Sequence, residues 1–185
     1  MARGLSAQQR RELWGLGLGA LAVLLALALV PVEWLGAWGV RAFPTGNVVG
    51  WAGRWLARGV WFLWGAAGVL VPLVPGIGAL GAFGRLGRDA ARRWAVGLVG
   101  LLVLMPPLVG SLAGPEGAGG WAAGWWGRAV GAVARRTFGV IGAGVLLGCA
   151  VAAWSVAVWG WNPLRAALRG ARWARAFAPS VAARR

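Results

Sequence analysis

Four long apolar runs alternate with arginine-bearing segments along the chain. A helix of about 20 apolar residues is long enough to cross the hydrocarbon core of a bilayer. The pattern predicts transmembrane helices over 13–30 (TM1), 60–83 (TM2), 94–112 (TM3) and 138–159 (TM4). We therefore expect an all-α integral membrane protein, with a four-helix transmembrane domain over 1–163 and a basic cytoplasmic tail over 164–185.

Two stretches rich in Trp and Arg, 48–59 and 121–137, precede TM2 and TM4. In the first stretch Trp51 and Trp55 are four residues apart, and such a pair shares one face of a helix. Because Trp favours the water–lipid interface, both stretches are predicted to be interfacial helices, of which the first can continue into TM2. Prolines inside TM2 and TM3 are expected to kink these spans, which neighbouring helices tolerate in a bundle.

An internal repeat appears when the chain is shifted by 74 residues. Seven identities then fall within 22 positions: Gly50 with Gly124, Trp51 with Trp125, Gly53 with Gly127, Arg54 with Arg128, Gly65 with Gly139, Gly68 with Gly142 and Val71 with Val145. The repeat predicts two copies of one unit, made of a span, an outer interfacial helix and a second span. Because each unit crosses the membrane twice, the copies are parallel repeats about an axis along the membrane normal.

The composition argues against a soluble domain and against the common metal and catalytic sites. Hydrophobic residues make up 59% of the chain and charged residues only 12%, against about 25% charged in a typical soluble domain. The chain has no His and one Cys, so it lacks the usual ligand sets for zinc, haem and iron–sulfur clusters. A Ser-His-Asp or Cys-His site cannot be built either. We predict no enzymatic activity, no catalytic or metal-binding residue and no cofactor.

The net charge of +15 comes from arginines that flank the apolar runs. This position suits topology signals and contacts with anionic lipid headgroups better than nucleic-acid binding, so no direct nucleic-acid partner is expected. If both termini share one side, that side carries 13 arginines and the other side 6. The positive-inside rule then places both termini in the cytoplasm. Candidate headgroup and topology residues are Arg85, Arg88, Arg92, Arg93, Arg165, Arg169 and Arg172.

Small residues four apart in a span allow helix backbones to approach closely. Gly15 and Gly19, and Gly144 and Gly148, have this spacing. The other candidate packing glycines are the repeat identities Gly65, Gly68, Gly139 and Gly142. They can pack helices within the chain or between chains, and the sequence leaves both possibilities open.

The order of these features resembles the N-terminal membrane region of FtsK/SpoIIIE-type DNA translocases. The resemblance lies in Gly46-Asn47-Val48-Val49-Gly50, in Phe62-Leu63-Trp64-Gly65 before Pro72, and in Phe138-Gly139-Val140-Ile141-Gly142. It implies a four-helix anchor without catalytic residues that helps to localise and oligomerise a translocase at the division septum. The family's ATPase motor and DNA-reading domain have no counterpart in these 185 residues, so the chain by itself is not expected to pump DNA.

Two functions follow as hypotheses. The first is a non-enzymatic anchor or scaffold of this FtsK-like type in a bacterial inner membrane, acting in cell division. The alternative is a structural accessory subunit of a respiratory or photosynthetic complex. The expected partners are other integral membrane proteins, or further copies of this chain, together with anionic lipid. A small transporter or channel is disfavoured because no acid lies in the middle of a predicted span.

Overall fold

The computed structural model describes residues 6–113 and 120–160. The described residues form helices and no strand, which confirms the predicted all-α fold for this part of the chain. The helices are α1 (Ala7–Leu29), α2 (Gly36–Ala42), α3 (Gly50–Trp64), α4 (Leu73–Ala82), α5 (Arg88–Ala113) and α6 (Gly120–Trp159). Short 3-10 helices cover Val32–Leu35 and Gly65–Leu70. The predicted tail over 164–185, with Arg165, Arg169 and Arg172, lies outside the described residues.

The first helix begins six residues before the apolar run predicted as TM1. Ser6 caps it: the hydroxyl Oγ accepts a hydrogen bond from the Gln9 backbone N–H at 3.1 Å, and the Ser6 N–H donates to Gln9 Oε1 at 2.9 Å. This reciprocal pair satisfies two backbone donors that a helix start leaves free. The polar residues before Leu13 therefore form the first turns of α1, ahead of its apolar part.

Helix α1 packs antiparallel against α4 through small residues. A methyl group added to Gly15 would lie 3.0 Å from Ala82 Cβ, and one added to Gly19 would lie 3.7 Å from Ala79 Cβ. Further along, Gly76 faces Ala22 Cβ at 3.6 Å. Since the numbering rises in one helix as it falls in the other, the helices run in opposite directions.

The later part of α6 packs antiparallel against α5 in a similar way. Trp154 donates a hydrogen bond from its indole Nε1 to the Gly97 carbonyl at 3.3 Å, and Gly144 faces Leu112 Cδ2 at 3.0 Å. Gly97 and Gly100 have no Cβ, and their faces are filled by the rings of Trp159 and Trp154. Small residues of α5 thus make room for large aromatic side chains of α6.

Because the helices pack antiparallel, the described arginines lie at the two ends of the bundle. One end gathers the start of α1, the turn between α4 and α5, and the end of α6. Its six described arginines are Arg10, Arg11, Arg85, Arg88, Arg92 and Arg93. The opposite end carries Arg41, Arg54, Arg58, Arg128, Arg135 and Arg136. The excess predicted for the cytoplasmic side therefore depends on Arg3 and the tail, which lie outside the described residues.

The region predicted as the kinked span TM2 is broken by a 3-10 helix. Helix α3 runs through Trp64 into the predicted span, the 3-10 helix Gly65–Leu70 follows, and α4 continues at an angle of 49°. The prolines do not break α4, because Pro72 caps it and Pro75 lies in its first turn, where a backbone N–H has no partner within the helix. By length and composition, α1, α5 and α6 can each cross a membrane, and the bent pair makes a fourth span if it is taken as one.

Pro107 leaves a backbone carbonyl free inside α5, and Trp126 supplies the missing donor. Proline has no N–H, so the Val103 carbonyl four residues earlier loses its helical hydrogen bond. The Trp126 indole Nε1 donates to this carbonyl oxygen at 3.0 Å. Gly131 allows the approach, since a methyl group there would lie 2.9 Å from the Pro107 carbonyl oxygen. A carbonyl without a partner is costly in lipid, so the contact fixes α6 against the proline segment of α5.

We expect Trp126→Phe to lower the free energy of unfolding by about 1 kcal/mol, because the ring is kept and only the N–H donor is lost. The measurement is reversible unfolding of the full chain in mixed micelles with increasing denaturing detergent. Trp125→Phe is the matched control, because the neighbouring Trp125 side chain is exposed and makes no hydrogen bond among the described residues. Equal losses in the two variants would contradict the role given to the Trp126 N–H.

Candidate functional site

Four glycines break the helical path at repeated positions. Their φ angles are +77° at Gly50, +55° at Gly65, +62° at Gly124 and +70° at Gly139, in the left-handed region that favours glycine. Gly50 corresponds to Gly124 and Gly65 to Gly139 in the 74-residue repeat. Each copy thus holds one helical segment between two such glycines. We call residues 51–64 the first arm and residues 125–138 the second arm.

The end of the first arm contacts the start of the second arm through backbone atoms, with no side chain between them. A methyl group added to Gly65 would collide with the Ala122 carbonyl oxygen and lie 2.6 Å from the Gly124 nitrogen. One added to Gly124 would meet the Gly65 nitrogen and lie 2.7 Å from the Leu63 carbonyl oxygen. Gly65 and Gly124 are both buried, and the adjacent Ala123 is fully buried. We call this contact the inter-repeat junction.

The equivalent surfaces at the other two breaks are uncovered. Among the described residues, no atom outside the local helix lies within 4 Å of a methyl group placed on Gly50 or on Gly139. Next to Gly139, Phe138 is 55% exposed and Ile141 is 83% exposed. The matching residues at the junction, 64 and 67, are only partly exposed. The chain therefore contains both halves of a second junction but does not bring them together.

Asn47 anchors the first arm to the end of α1. Its side chain is 4% exposed and donates from Nδ2 to the Ala28 carbonyl at 2.7 Å. Ala28 is in the last turn of α1, where carbonyls have no partner within the helix. The Asn47 Oδ1 accepts from the Val49 N–H at 2.9 Å, which holds the turn that leads into the arm. Gly53 leaves room for this amide, because a methyl group there would collide with Oδ1.

The second arm is anchored differently, along the proline segment of α5. Gly127 and Gly131 are buried and four residues apart, so they lie on one face of the arm. A methyl group on Gly127 would lie 2.9 Å from Pro106 Cβ, and one on Gly131 would lie 2.6 Å from the Ser111 nitrogen. Together with the Trp126 hydrogen bond, these contacts hold the second arm on α5.

The glycines singled out from the sequence fall into three groups by what they contact. Gly15, Gly19 and Gly144 lie in contacts between helices, and Gly65 lies in the junction. Gly68 and Gly142 face single residues of the adjoining arm, with the nearest atoms at Val60 Cγ1, 2.6 Å, and at Phe138 Cβ, 3.1 Å. Gly139 and Gly148 have no such neighbour among the described residues. For these last two, packing between chains stays the open alternative.

In each arm, an arginine side chain donates a hydrogen bond to a backbone carbonyl at or just before the start of that arm. Arg54 Nη1 donates to the Thr45 carbonyl at 3.5 Å, and the repeat-equivalent Arg128 Nε donates to the Gly124 carbonyl at 3.3 Å. Arg58 lies over the Trp55 ring, with 5.8 Å between its guanidinium carbon and the ring centroid. The arginines predicted as headgroup and topology residues, Arg85, Arg88, Arg92 and Arg93, are exposed at the other end of the bundle.

In residues 6–113 and 120–160, no three His, Cys, Asp or Glu side chains come together as a metal site.

Several residues that build this site were not identified from the sequence as site residues. Asn47 belongs to the Gly-Asn motif of the family resemblance, and a lone Asn between apolar segments is a signal for a buried polar anchor. Gly127 and Gly131 have the same four-residue spacing that singled out Gly15 and Gly19. Gly124 was aligned in the repeat, but its contact with Gly65 joins residues far apart in the chain, and no local pattern reports such a contact.

Comparison with protein-family models, with curated proteins and with solved structures finds no match to this chain. The FtsK/SpoIIIE-type resemblance therefore remains an expectation from the motifs quoted above. We infer function from the composition and geometry of the chain.

We expect Gly124→Ala to destabilise the chain by about 1–3 kcal/mol more than Gly50→Ala, because overpacking adds to the backbone strain. Both residues have positive φ and so share that strain, but only Gly124 faces backbone atoms. The measurement is the detergent-unfolding midpoint at a high ratio of micelles to protein, where each micelle holds one chain. If the two variants lost equal stability, the junction would not be the tight contact described here.

Proposed function

We propose that this chain is a non-enzymatic membrane anchor and scaffold with four spans, in which two outer arms form one rigid platform for partner proteins. The observation that carries the proposal is the inter-repeat junction, where the backbones of residues 65 and 124 touch. A contact without intervening side chains leaves little freedom for one arm to move against the other. Such a platform presents both arms to a partner in a fixed relation.

The exposed surface of the bundle supports a membrane setting. An apolar stretch of 18 residues in α1 has a mean hydropathy of 2.0, and only 22% of this stretch is buried inside the protein. Large apolar side chains such as Leu16 and Val23 lie on its outside. Soluble monomers rarely expose contiguous apolar patches beyond a few hundred Å². Lipid is the environment that accommodates this surface.

The arms have the chemistry of the membrane–water interface. Trp51 and Trp55 of the first arm are exposed and contact each other edge to face, with 5.9 Å between ring centroids. Trp125 of the second arm is also exposed. Indole rings favour the headgroup region, and the neighbouring Arg54 and Arg128 suit anionic lipid. The arms would therefore lie at the outer surface of a bacterial inner membrane, with both termini in the cytoplasm.

The resemblance to the FtsK/SpoIIIE-type membrane region supplies the biological setting of the proposal. It points to cell division and to other integral membrane proteins as partners. The second candidate, an accessory subunit of a respiratory or photosynthetic complex, rests on the exposed apolar face of α6 around Ile141. That face is available to partner helices under either function.

Labelling with a membrane-impermeant maleimide tests the four spans and their orientation. The variants are Ser6→Cys, Gly87→Cys and Ala52→Cys, each in a Cys149→Ser background, at exposed positions of both ends. In intact bacteria we expect labelling of Ala52→Cys alone, because the positive-inside rule keeps the other two positions inside. Permeabilised cells are the control and should label all three. Labelling of Gly87→Cys in intact cells would contradict the proposed orientation.

Purification of the full chain in mild detergent, followed by quantitative mass spectrometry, tests the scaffold role. We expect division proteins to accompany the chain in excess over a tagged four-span control protein expressed at the same level. Respiratory or photosynthetic subunits in a fixed ratio would instead establish the second candidate and remove the division role. Recovery of the chain with no protein in a fixed ratio would contradict both.

A further inference from the structure

The molecule contains one closed junction and the two separated halves of another. At the closed junction, the end of the first arm at Gly65 meets the start of the second arm at Gly124. By the repeat, the end of the second arm at Gly139 is equivalent to the first half, and the start of the first arm at Gly50 to the second half. Both equivalents have the same left-handed backbone but no neighbour among the described residues.

The symmetry of the two copies explains why the second junction stays open. If a two-fold rotation related the copies, the contact from first to second arm would be repeated from second to first. Gly139 would then lie against Gly50, and both glycines would be as buried as Gly65 and Gly124. Since Gly139 is exposed, the copies are related head to tail without closing. A head-to-tail relation continues to further copies until a ring closes or a filament forms.

The backbone at Gly139 also favours a protein partner over lipid. Its positive φ interrupts the helix where the apolar part of α6 begins, among exposed Phe138, Val140 and Ile141. Non-helical backbone at membrane depth is tolerated where protein buries it or water reaches it. At Gly65 the second arm provides that cover. Within the described part of one chain, nothing provides it at Gly139.

We propose that the Gly139 end of the second arm docks onto residues 48–50, which lead into the first arm, of a second copy of this chain. The contact repeats the geometry of the inter-repeat junction, backbone against backbone. It is heterologous, because each copy contributes a different surface to it. It goes beyond the proposed function and rests on it only in requiring that the chain be in a membrane.

The docking surfaces are compatible in polarity. Thr137 at the end of the second arm donates its hydroxyl to the Val133 carbonyl at 3.0 Å, so that group has a partner. Val48 and Val49, just before the first arm, are partly exposed and apolar. Neither surface presents an acid. The charged side chains Arg135 and Arg136 precede Gly139 by at least three residues, which leaves the break itself free of charge.

Paired single-cysteine variants test the docking directly. In a Cys149→Ser background, one copy carries Thr137→Cys and a differently tagged copy carries Val48→Cys. These positions are the repeat equivalents of Leu63 and Ala122, which flank the inter-repeat junction. The two copies are co-expressed, and their membranes are treated with a short bifunctional maleimide. We expect the mixed dimer to exceed dimers of either variant alone by about tenfold, because a heterologous contact brings only the unlike cysteines together.

A control variant with Leu63→Cys and Ala122→Cys in one chain should form an internal cross-link at the mass of the monomer. It reports that the reagent reaches a junction of this geometry. If this control reacts but the mixed pair does not, lipid or another protein covers the Gly139 end and the proposal falls. If Thr137→Cys alone forms dimers as well as the mixture does, the contact is isologous and the head-to-tail arrangement is wrong.

A variant with Thr137→Cys and Val48→Cys in the same chain provides a second measurement. Repeated head-to-tail contacts should yield a ladder of cross-linked species above the dimer, whereas a contact that stops at two copies would yield dimers only and overturn the proposal. The maleimide orientation assay and the co-purification assay on the same membranes do not depend on self-association. Failure of the docking is thereby distinguishable from failure of the anchor and scaffold function.

Discussion

Backbone hydrogen bonding is the constraint on which this structure depends. Lipid offers no partner for a free N–H or C=O group, so every departure from a continuous helix must be satisfied by protein or reach water. The Val103 carbonyl freed by Pro107 receives the Trp126 indole, and the Ala28 carbonyl at the end of α1 receives the Asn47 amide. Each of these bonds joins an arm, or the turn before it, to a long helix, so the same requirement also positions the arms.

Glycine serves three distinct purposes in this fold. At Gly50 and Gly139 it permits a left-handed turn at the edge of an arm, in open space. At Gly65 and Gly124 it permits that turn and also the contact of two backbones. At Gly127 and similar helical positions it only provides room for a neighbouring helix. A side chain would have different effects in the three settings, although the residue is the same in all of them.

In the proposed scaffold role, the chain would present a defined outer face. The junction holds the two arms in one relation, and the open halves of the second junction lie at the ends of the same arms. If copies dock through these halves, the rigid relation inside one chain is propagated from chain to chain. Partner binding and self-association would then depend on the same backbone geometry.

The sequence by itself determined the helical class, the apolar segments and the Trp- and Arg-rich arms, because preference for lipid, water or their interface is a local property of each segment. The four glycines that bound the arms are among the repeat identities, but the sequence predicted the interfacial stretches as 48–59 and 121–137, and only the structure placed the breaks at these glycines. Only the tertiary structure decided which glycines contact another segment: within residues 6–113 and 120–160, Gly144 has such a neighbour and Gly148 has none. It also decided that Gly65 meets Gly124 while Gly139 stays uncovered, because such contacts depend on how distant segments are rotated and translated against one another.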